Sequence, residues 1–169
     1  MQKQRRAQGT QVGAIPALGT VWVELDEQQR LTRLMLPDLD ERRPDVPEGA
    51  GPLSQSIRSA LEAYVNGDEA ALWSLDIAPG PSPFIDEVRK AMRAIGYGRV
   101  ASYGEIAKAI GKPGAARAVG RVCATNNVLL AVPCHRVVAS NGSGGFGLGL
   151  HAKEVLLGIE REHAIVVRN

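Results

Sequence analysis

The sequence predicts an α+β fold, with a small α/β domain over residues 1–80 and a mainly helical domain over residues 84–169. Three observations predict it. Apolar residues alternate with period two near the N-terminus, a proline-rich segment follows, and beyond it the apolar spacing becomes helical. A chain of 169 residues suits two small domains sharing an interface.

Val21, Val23 and Leu25 alternate with polar or aromatic neighbours, Asp26-Glu27-Gln28-Gln29 interrupts the run, and Leu31 to Leu36 resumes it. This is the pattern of a β-hairpin. Pro37 to Pro52 combines four prolines with a dense run of charges and reads as a loop. Leu53, Ile57, Ala60, Leu61 and Tyr64 predict a helix from Leu53 to Asn66, with Gly67 as its stop signal. Ala71 to Ala78 fits another strand, and Pro79-Gly80-Pro81-Ser82-Pro83 is the linker.

Beyond the linker, Phe84, Ile85, Val88, Met92 and Ile95 fall on one helical face that Gly96 ends. Ser102 and Glu105 form a capping box, so a helix begins near Tyr103, with Ile106 and Ile110 as its apolar face. Gly111-Lys112-Pro113-Gly114 is a tight connection, and Pro113 is placed to open a helix from about Ala115 to Ala124. Two short helices joined by a tight turn resemble a helix-turn-helix. The second helix has an inner stripe of Ala116, Val119 and Cys123, and an outer stripe of Gly114, Arg117, Ala118, Arg121 and Thr125. The outer stripe fits either a face that lets a partner's backbone approach closely or a plain solvated helix.

Charge divides along the chain. Residues 1–80 hold 8 Lys/Arg against 12 Asp/Glu, and residues 81–169 hold 12 against 6. The basic half suits a polyanionic partner, although charge runs also form solvated faces. No apolar run approaches the roughly 20 residues of a membrane span. Met1 to Gln11 is basic but has no apolar segment behind it, so it reads as a frayed terminus and not as a secretory leader. Cys123 and Cys134 cannot build a disulfide scaffold, and reduced thiols in a cytoplasmic protein are expected. Three histidines and two cysteines lack zinc-finger spacing, so a structural metal is not expected, and no cofactor is expected either.

The most informative segment runs from Asn126 to Val138. Its apolar run Val128 to Val132 reads as buried and delivers Pro133-Cys134-His135-Arg136. A thiol beside an imidazole can be an activated nucleophile, since the thiolate is the reactive form. A lone cysteine can equally be a small buried hydrophobe.

Pro133-Cys134-His135-Arg136-Val137-Val138 resembles the active-site signature of the O6-alkylguanine-DNA alkyltransferases, the methylated-DNA–protein-cysteine methyltransferases. Tyr97 to Ala107 is similar to the family's stretch upstream, and Ala115-Ala116-Arg117-Ala118-Val119-Gly120 to its recognition helix. Asn126 matches the family's active-site asparagine, and Lys153-Glu154-Val155-Leu156-Leu157 with Glu160 matches its final helix. The resemblance is close to continuous from Phe84 to Glu160 and looser over the first 80 residues.

The resemblance implies a monomeric, single-turnover repair protein, a suicide methyltransferase with winged helix-turn-helix character in its C-terminal domain. It would move an alkyl group from O6 of guanine in double-stranded DNA to Cys134. In this reading His135 takes the thiol proton through a water and Glu160 orients the imidazole. Asn126 holds the turn before an active-site strand, and Tyr103 donates to guanine N3. The backbone of Cys134 and Val137 accepts from the guanine amino edge, and Phe146, Gly147 and Leu148 complete the pocket. Gly114, Ala116, Arg117, Ala118 and Arg121 form the docking surface in the minor groove, with Arg117 filling the gap left by a flipped base. The resemblance also implies a cytoplasmic protein, nucleoid-associated when bound to DNA in a prokaryote.

Departures from the family bear on substrate range. Gly147 replaces a common serine, Phe146 a tyrosine, Leu148 a glycine and Asn127 a proline. Arg89 stands where tryptophan is frequent, and Arg121 where the residue is often small. The alternatives are a lesion binder without transfer activity, a helix-turn-helix regulator and a cysteine hydrolase. The first would lack Cys134, and the second would not need Cys134, His135 and Glu160 together.

Overall fold

The computed structural model describes the backbone of residues 9–166 and side chains through Ala164. Residues 1–8, most of the expected frayed terminus, lie outside the described residues. Thr10 and Gln11, the described end of that stretch's polar sequence, are in a strand instead.

The N-terminal half is built on a four-stranded sheet. Strands β1 (Thr10–Ile15), β2 (Gly19–Leu25) and β3 (Leu31–Met35) form an antiparallel meander, and β4 (Gly51–Pro52) adds parallel to β1. The predicted hairpin is β2–β3. Asp26 closes it, its carboxylate accepting the backbone N–H groups of Gln28 and Arg30 at 3.0 and 2.9 Å. Strand β1 had no strong signal of its own. Its sequence TQVGAI lacks a run of bulky alternating residues, and six-residue pairing with β2 holds it in place.

Helix α1 (Gln55–Val65) follows with Ser54 as its N-cap, and it buries Ile57, Ala60, Leu61 and Tyr64, as the spacing predicts. The strand expected over Ala71 to Ala78 is corrected. Asp68 accepts the Ala70 N–H at 2.9 Å, and one helical turn, α2 (Ala70–Trp73), forms there instead. Only the end of the segment is extended: Leu31 N–H donates to Asp76 O, and Ala78 N–H to Leu31 O. The local Asp68 turn and two alanines outweigh the mild alternation that suggested a strand.

Helix α3 (Pro83–Arg93) starts at Ser82, with Pro83 in its first turn, and buries Val88 and Met92. It ends at Arg93, with Ala94 as cap, so Ile95 and Gly96 lie just past it. Strand β5 (Ala101–Ser102) leads into α4 (Tyr103–Ala109), whose capping box between Ser102 and Glu105 is complete. Helix α5 (Ala116–Ala124) forms where predicted, but Pro113 does not open it. Pro113 belongs to the turn, Ala115 is the N-cap, and Ala115 N–H donates to Lys112 O. The pair α4–α5 is the helix-turn-helix. Cys134–Arg136 forms a 3-10 turn, β6 (Val137–Val138) pairs parallel with β5 over two residues, and α6 (Leu150–Val166) follows.

One continuous core joins the halves. Leu34, Leu36 and Leu61 pack in the same buried cluster as Val88, Met92, Val119 and Leu156. Val128 to Val132 is buried as expected, but it is not a strand: it crosses the interface as turns. Leu34 N–H donates to Asn127 O at 2.8 Å, and Leu129 N–H to Leu34 O at 3.2 Å. The sheet edge thereby fixes the backbone that presents Cys134. Among the described residues, no helix is long and apolar enough to cross a membrane.

Candidate active site

Cys134 opens the 3-10 turn, where an active-site strand was expected, and its side chain is 3% exposed. Asn126, just past α5, spans the turn below it. Its amide Nδ2 donates to Val132 O at 2.9 Å and to Cys134 Sγ at 3.0 Å, while its Oδ1 accepts from Val128 N–H at 3.3 Å. Within this turn Leu130 has φ +63, a conformation that side-chain-bearing residues seldom adopt. Burial of the leucine side chain and the bracing by Asn126 hold it. Burial pushes the Cys134 thiol up to about 11, with the Asn126 hydrogen bond pulling the other way. The group therefore rests as a thiol, and its proton must leave when it reacts.

The next residue brings an imidazole. His135 is buried, and its Nε2 lies 2.6 Å from Glu160 Oε1 on α6. Glu160 is fully buried and ionised. Burial alone would raise its carboxyl, but hydrogen bonds from His135 and Arg136 hold it down at about 2. Arg136 supplies the permanent charge: Nε reaches Oε1 and Oε2 at 3.1 and 3.0 Å, and another guanidinium nitrogen reaches Oε1 at 3.0 Å. Burial lowers the His135 pKa, against the pull of Glu160, so the imidazole is neutral near pH 7. With Nε2–H donated to the carboxylate, Nδ1 is the nitrogen left to accept a proton.

Two glycines are required by close approach. Gly98 has φ +71 and donates its N–H to Glu160 Oε2 at 3.1 Å; a Cβ there would lie 2.7 Å from Ala164 Cβ. Gly144 has φ +69, and a Cβ there would lie 2.9 Å from the Tyr103 hydroxyl. Tyr103, at the start of α4, thus points its hydroxyl into the loop after β6. Burial and the neighbouring Cys123 and Cys134 raise its pKa, so it keeps its proton as a donor.

In the same loop Phe146 meets the His135 ring edge-on at 6.4 Å, and Gly147 is exposed. Leu148 departs from its expected place beside them: its side chain is turned into the core, and its carbonyl accepts Glu41 N–H. The Val137 carbonyl already accepts from Lys153 Nζ at 2.6 Å, which leaves one lone pair for another donor.

On α5 the inner stripe is Val119, Val122 and Cys123, with Ala116 half-buried. Burial pushes the Cys123 thiol up to about 12, and its sulfur sits 3.7 Å from Met92. Gly114, Arg117 and Arg121 are exposed and Ala118 half-exposed. Among the described residues neither arginine is ion-paired, and no cluster of side chains suits a metal ion.

Sequence reasoning missed four residues here. Tyr64 of α1 was read only as an apolar-face residue, yet its hydroxyl donates to Glu160 Oε1 at 2.8 Å. Arg136 is fully buried, and Glu69 takes its outer nitrogen at 2.5 Å. Lys153 is buried and also donates to Ser143 O at 2.5 Å, which ties the pocket loop to β6. Nothing in the local sequence marked these four side chains as buried partners of one another.

A helix-turn-helix carrying exposed arginines, together with a buried cysteine beside an imidazole that is hydrogen-bonded to a carboxylate, defines a class: a cysteine protein on a DNA-binding scaffold. Comparison makes it specific. The family model described as 6-O-methylguanine DNA methyltransferase, DNA binding domain, matches residues 83–162. The methylated-DNA–protein-cysteine methyltransferase of Salmonella typhimurium is 38% identical over 151 residues, covering 83% of this chain and 88% of that protein. That of Mycolicibacterium paratuberculosis is 44% identical over 105 residues, 62% of this chain and 63% of that one. Among solved structures, Mycobacterium tuberculosis OGT in complex with DNA superposes with a TM-score of 0.73 at 30% identity, covering 92% of this chain and 94% of the other. The chain belongs to the methylated-DNA–protein-cysteine methyltransferase family.

Proposed function

We propose that the protein repairs DNA by direct reversal, moving an alkyl group irreversibly from O6 of guanine to Cys134. The observation that carries this reading is the buried Cys134, braced by Asn126, beside a neutral imidazole hydrogen-bonded to an ionised Glu160. In the reaction the S–C bond forms as the C–O bond breaks. The bond's electron pair goes to guanine O6, and the thiol proton passes through a bridging water to His135 Nδ1. Glu160 stays ionised and stabilises the imidazolium. Tyr103 donates to guanine N3 as negative charge develops on the leaving base. The thioether product cannot release the alkyl group, so each molecule acts once.

DNA is the partner. The exposed Arg117 and Arg121 and the small residues Gly114, Ala116 and Ala118 suit docking in the minor groove, with the damaged nucleotide flipped toward Cys134 and Arg117 filling its place. Phe146 and Gly147 border the base, together with Val137. We keep residues 1–80 and 84–169 as two domains around a shared core, and we read the protein as a monomer acting in the cytoplasm, on the nucleoid in a prokaryote.

The test is mass spectrometry after mixing with duplex DNA containing O6-methylguanine. One methyl group should appear on Cys134 and none on Cys123. Cys134→Ser should abolish transfer while leaving duplex binding within about twofold, because a serine hydroxyl is a poor nucleophile near neutral pH. Catalytic turnover, or methyl groups on another residue, would refute the reading.

A further inference from the structure

The carboxylate that holds His135 is gripped from the other half of the molecule. Tyr64 lies on α1 in the N-terminal half, is fully buried, and donates its hydroxyl to Glu160 Oε1 across 96 residues of sequence. This is the same oxygen that takes His135 Nε2, and the Tyr64 hydroxyl lies 3.5 Å from that nitrogen. Its position is well determined. Tyr97 donates to the Tyr64 carbonyl at 2.8 Å, and the two rings meet edge-to-face at 5.5 Å.

We infer that Tyr64 is a positioning residue of the alkyl-transfer relay, its hydroxyl weakening the hold of Glu160 on the His135 proton so that the imidazole stays neutral and ready to accept. The inference rests on the repair reading above. Oε1 accepts from Tyr64, His135 and Arg136 together. Each donor draws electron density from the oxygen, so each weakens its attraction for the others. Without the Tyr64 hydroxyl the carboxylate would stabilise an imidazolium better, and His135 would protonate at higher pH.

The other groups facing His135 do not duplicate this role. Arg136 on the 3-10 turn and Lys153 on α6 disfavour a positive imidazole by charge, and Glu160 favours one. Glu69, the N-cap of α2, reaches the relay through Arg136. Burial and the adjacent carboxylate keep the Tyr64 phenol protonated, so it acts as a fixed donor and not as a titrating group. The N-terminal half thereby supplies a working part of the relay.

Tyr64→Phe keeps the ring and removes only the hydroxyl. Tyr97→Phe is the control, since its hydroxyl reaches a backbone carbonyl and not the carboxylate. Tyr64→Phe should lose more thermal stability than Tyr97→Phe, because its hydroxyl is buried against a charged acceptor. In histidine-labelled protein followed by NMR, the His135 titration in Tyr64→Phe should move up by about half to one pH unit. The acid limb of the single-turnover alkyl-transfer rate should move with it. Tyr97→Phe should leave both in place. An unchanged or lowered His135 titration in Tyr64→Phe, or an equal shift in both variants, would overturn the inference. Absence of transfer in the unsubstituted protein would refute the repair reading instead, while the imidazole titration still decides the role of Tyr64.

Discussion

The outer face of α5 and the cluster around Glu160 are both rich in charge, yet they follow opposite rules. Arg117 and Arg121 stand in water, unpaired among the described residues, and suit electrostatic contact with phosphates. Arg136 has the same guanidinium but is fully buried, tied to Glu160, Glu69 and the Ile95 carbonyl. Tyr97 and Trp73 lie under its charge at 5.6 and 5.8 Å. An exposed arginine contributes to a field and tolerates replacement. A buried one is part of a closed network in which each partner satisfies another, so removing a single member leaves a charge stranded.

The largest effect expected from this difference is at Glu160. Glu160→Gln leaves Arg136 with Glu69 as its one carboxylate partner among the described residues and His135 with none, so stability should fall by about 3 kcal/mol. Alkyl transfer should slow by roughly a hundredfold or more. Lesion-free DNA should still bind, since α5 is untouched. Urea denaturation and single-turnover kinetics would measure the first two, and an unchanged denaturation midpoint would break the comparison.

Acid should act on the same cluster. The Glu160 pKa is about 2 in the folded protein against an ordinary 4.5, so between these values the unfolded chain holds a proton that the folded chain does not. This contribution is fully present above pH 4.5 and is lost as the pH falls toward 2. The buried neutral His135 adds a penalty of the same sign below its ordinary 6.5. Denaturation midpoints measured from pH 7 to pH 3 should fall, and the fall should be shallower in Glu160→Gln.

The smallest effect belongs to the exposed arginines. Arg121→Ala should lower the slope of log affinity for duplex DNA against log salt by about one, with little dependence on sequence, and Arg117→Ala should chiefly slow repair of duplex DNA. Neither should move the denaturation midpoint by more than about 0.5 kcal/mol. Binding titrations at several salt concentrations give the slope. A stability loss comparable to that of Glu160→Gln would remove the distinction between the two regions.

What could be read in the sequence were local features and their order. The capping box at Ser102 and Glu105, the α1 stripe and the β2–β3 hairpin all depend on residues a few positions apart, so neighbouring side chains specify them. Cys134, His135, Asn126 and Glu160 were legible as a set only through the resemblance of their segments, in that order along residues 84–160, to a known family, and the structure brings them together. Errors arose where local signals were weak. The one-turn helix at Ala70 was mistaken for strand, and β1 passed unnoticed because its partner strand organises it.

By itself, then, the sequence determined the elements whose hydrogen bonds close within a turn or a hairpin, and the residue types available for chemistry. Tertiary structure alone decided that Tyr64 and Glu69 would reach Glu160 and Arg136, over separations of 96 and 67 residues. It decided too that Leu148 would enter the core and that a sheet edge at Leu34 would brace the Cys134 turn. The physical reason is that a buried ion or hydroxyl is stable only where the folded chain supplies its partners, and no spacing within either segment specifies which distant segment will do so.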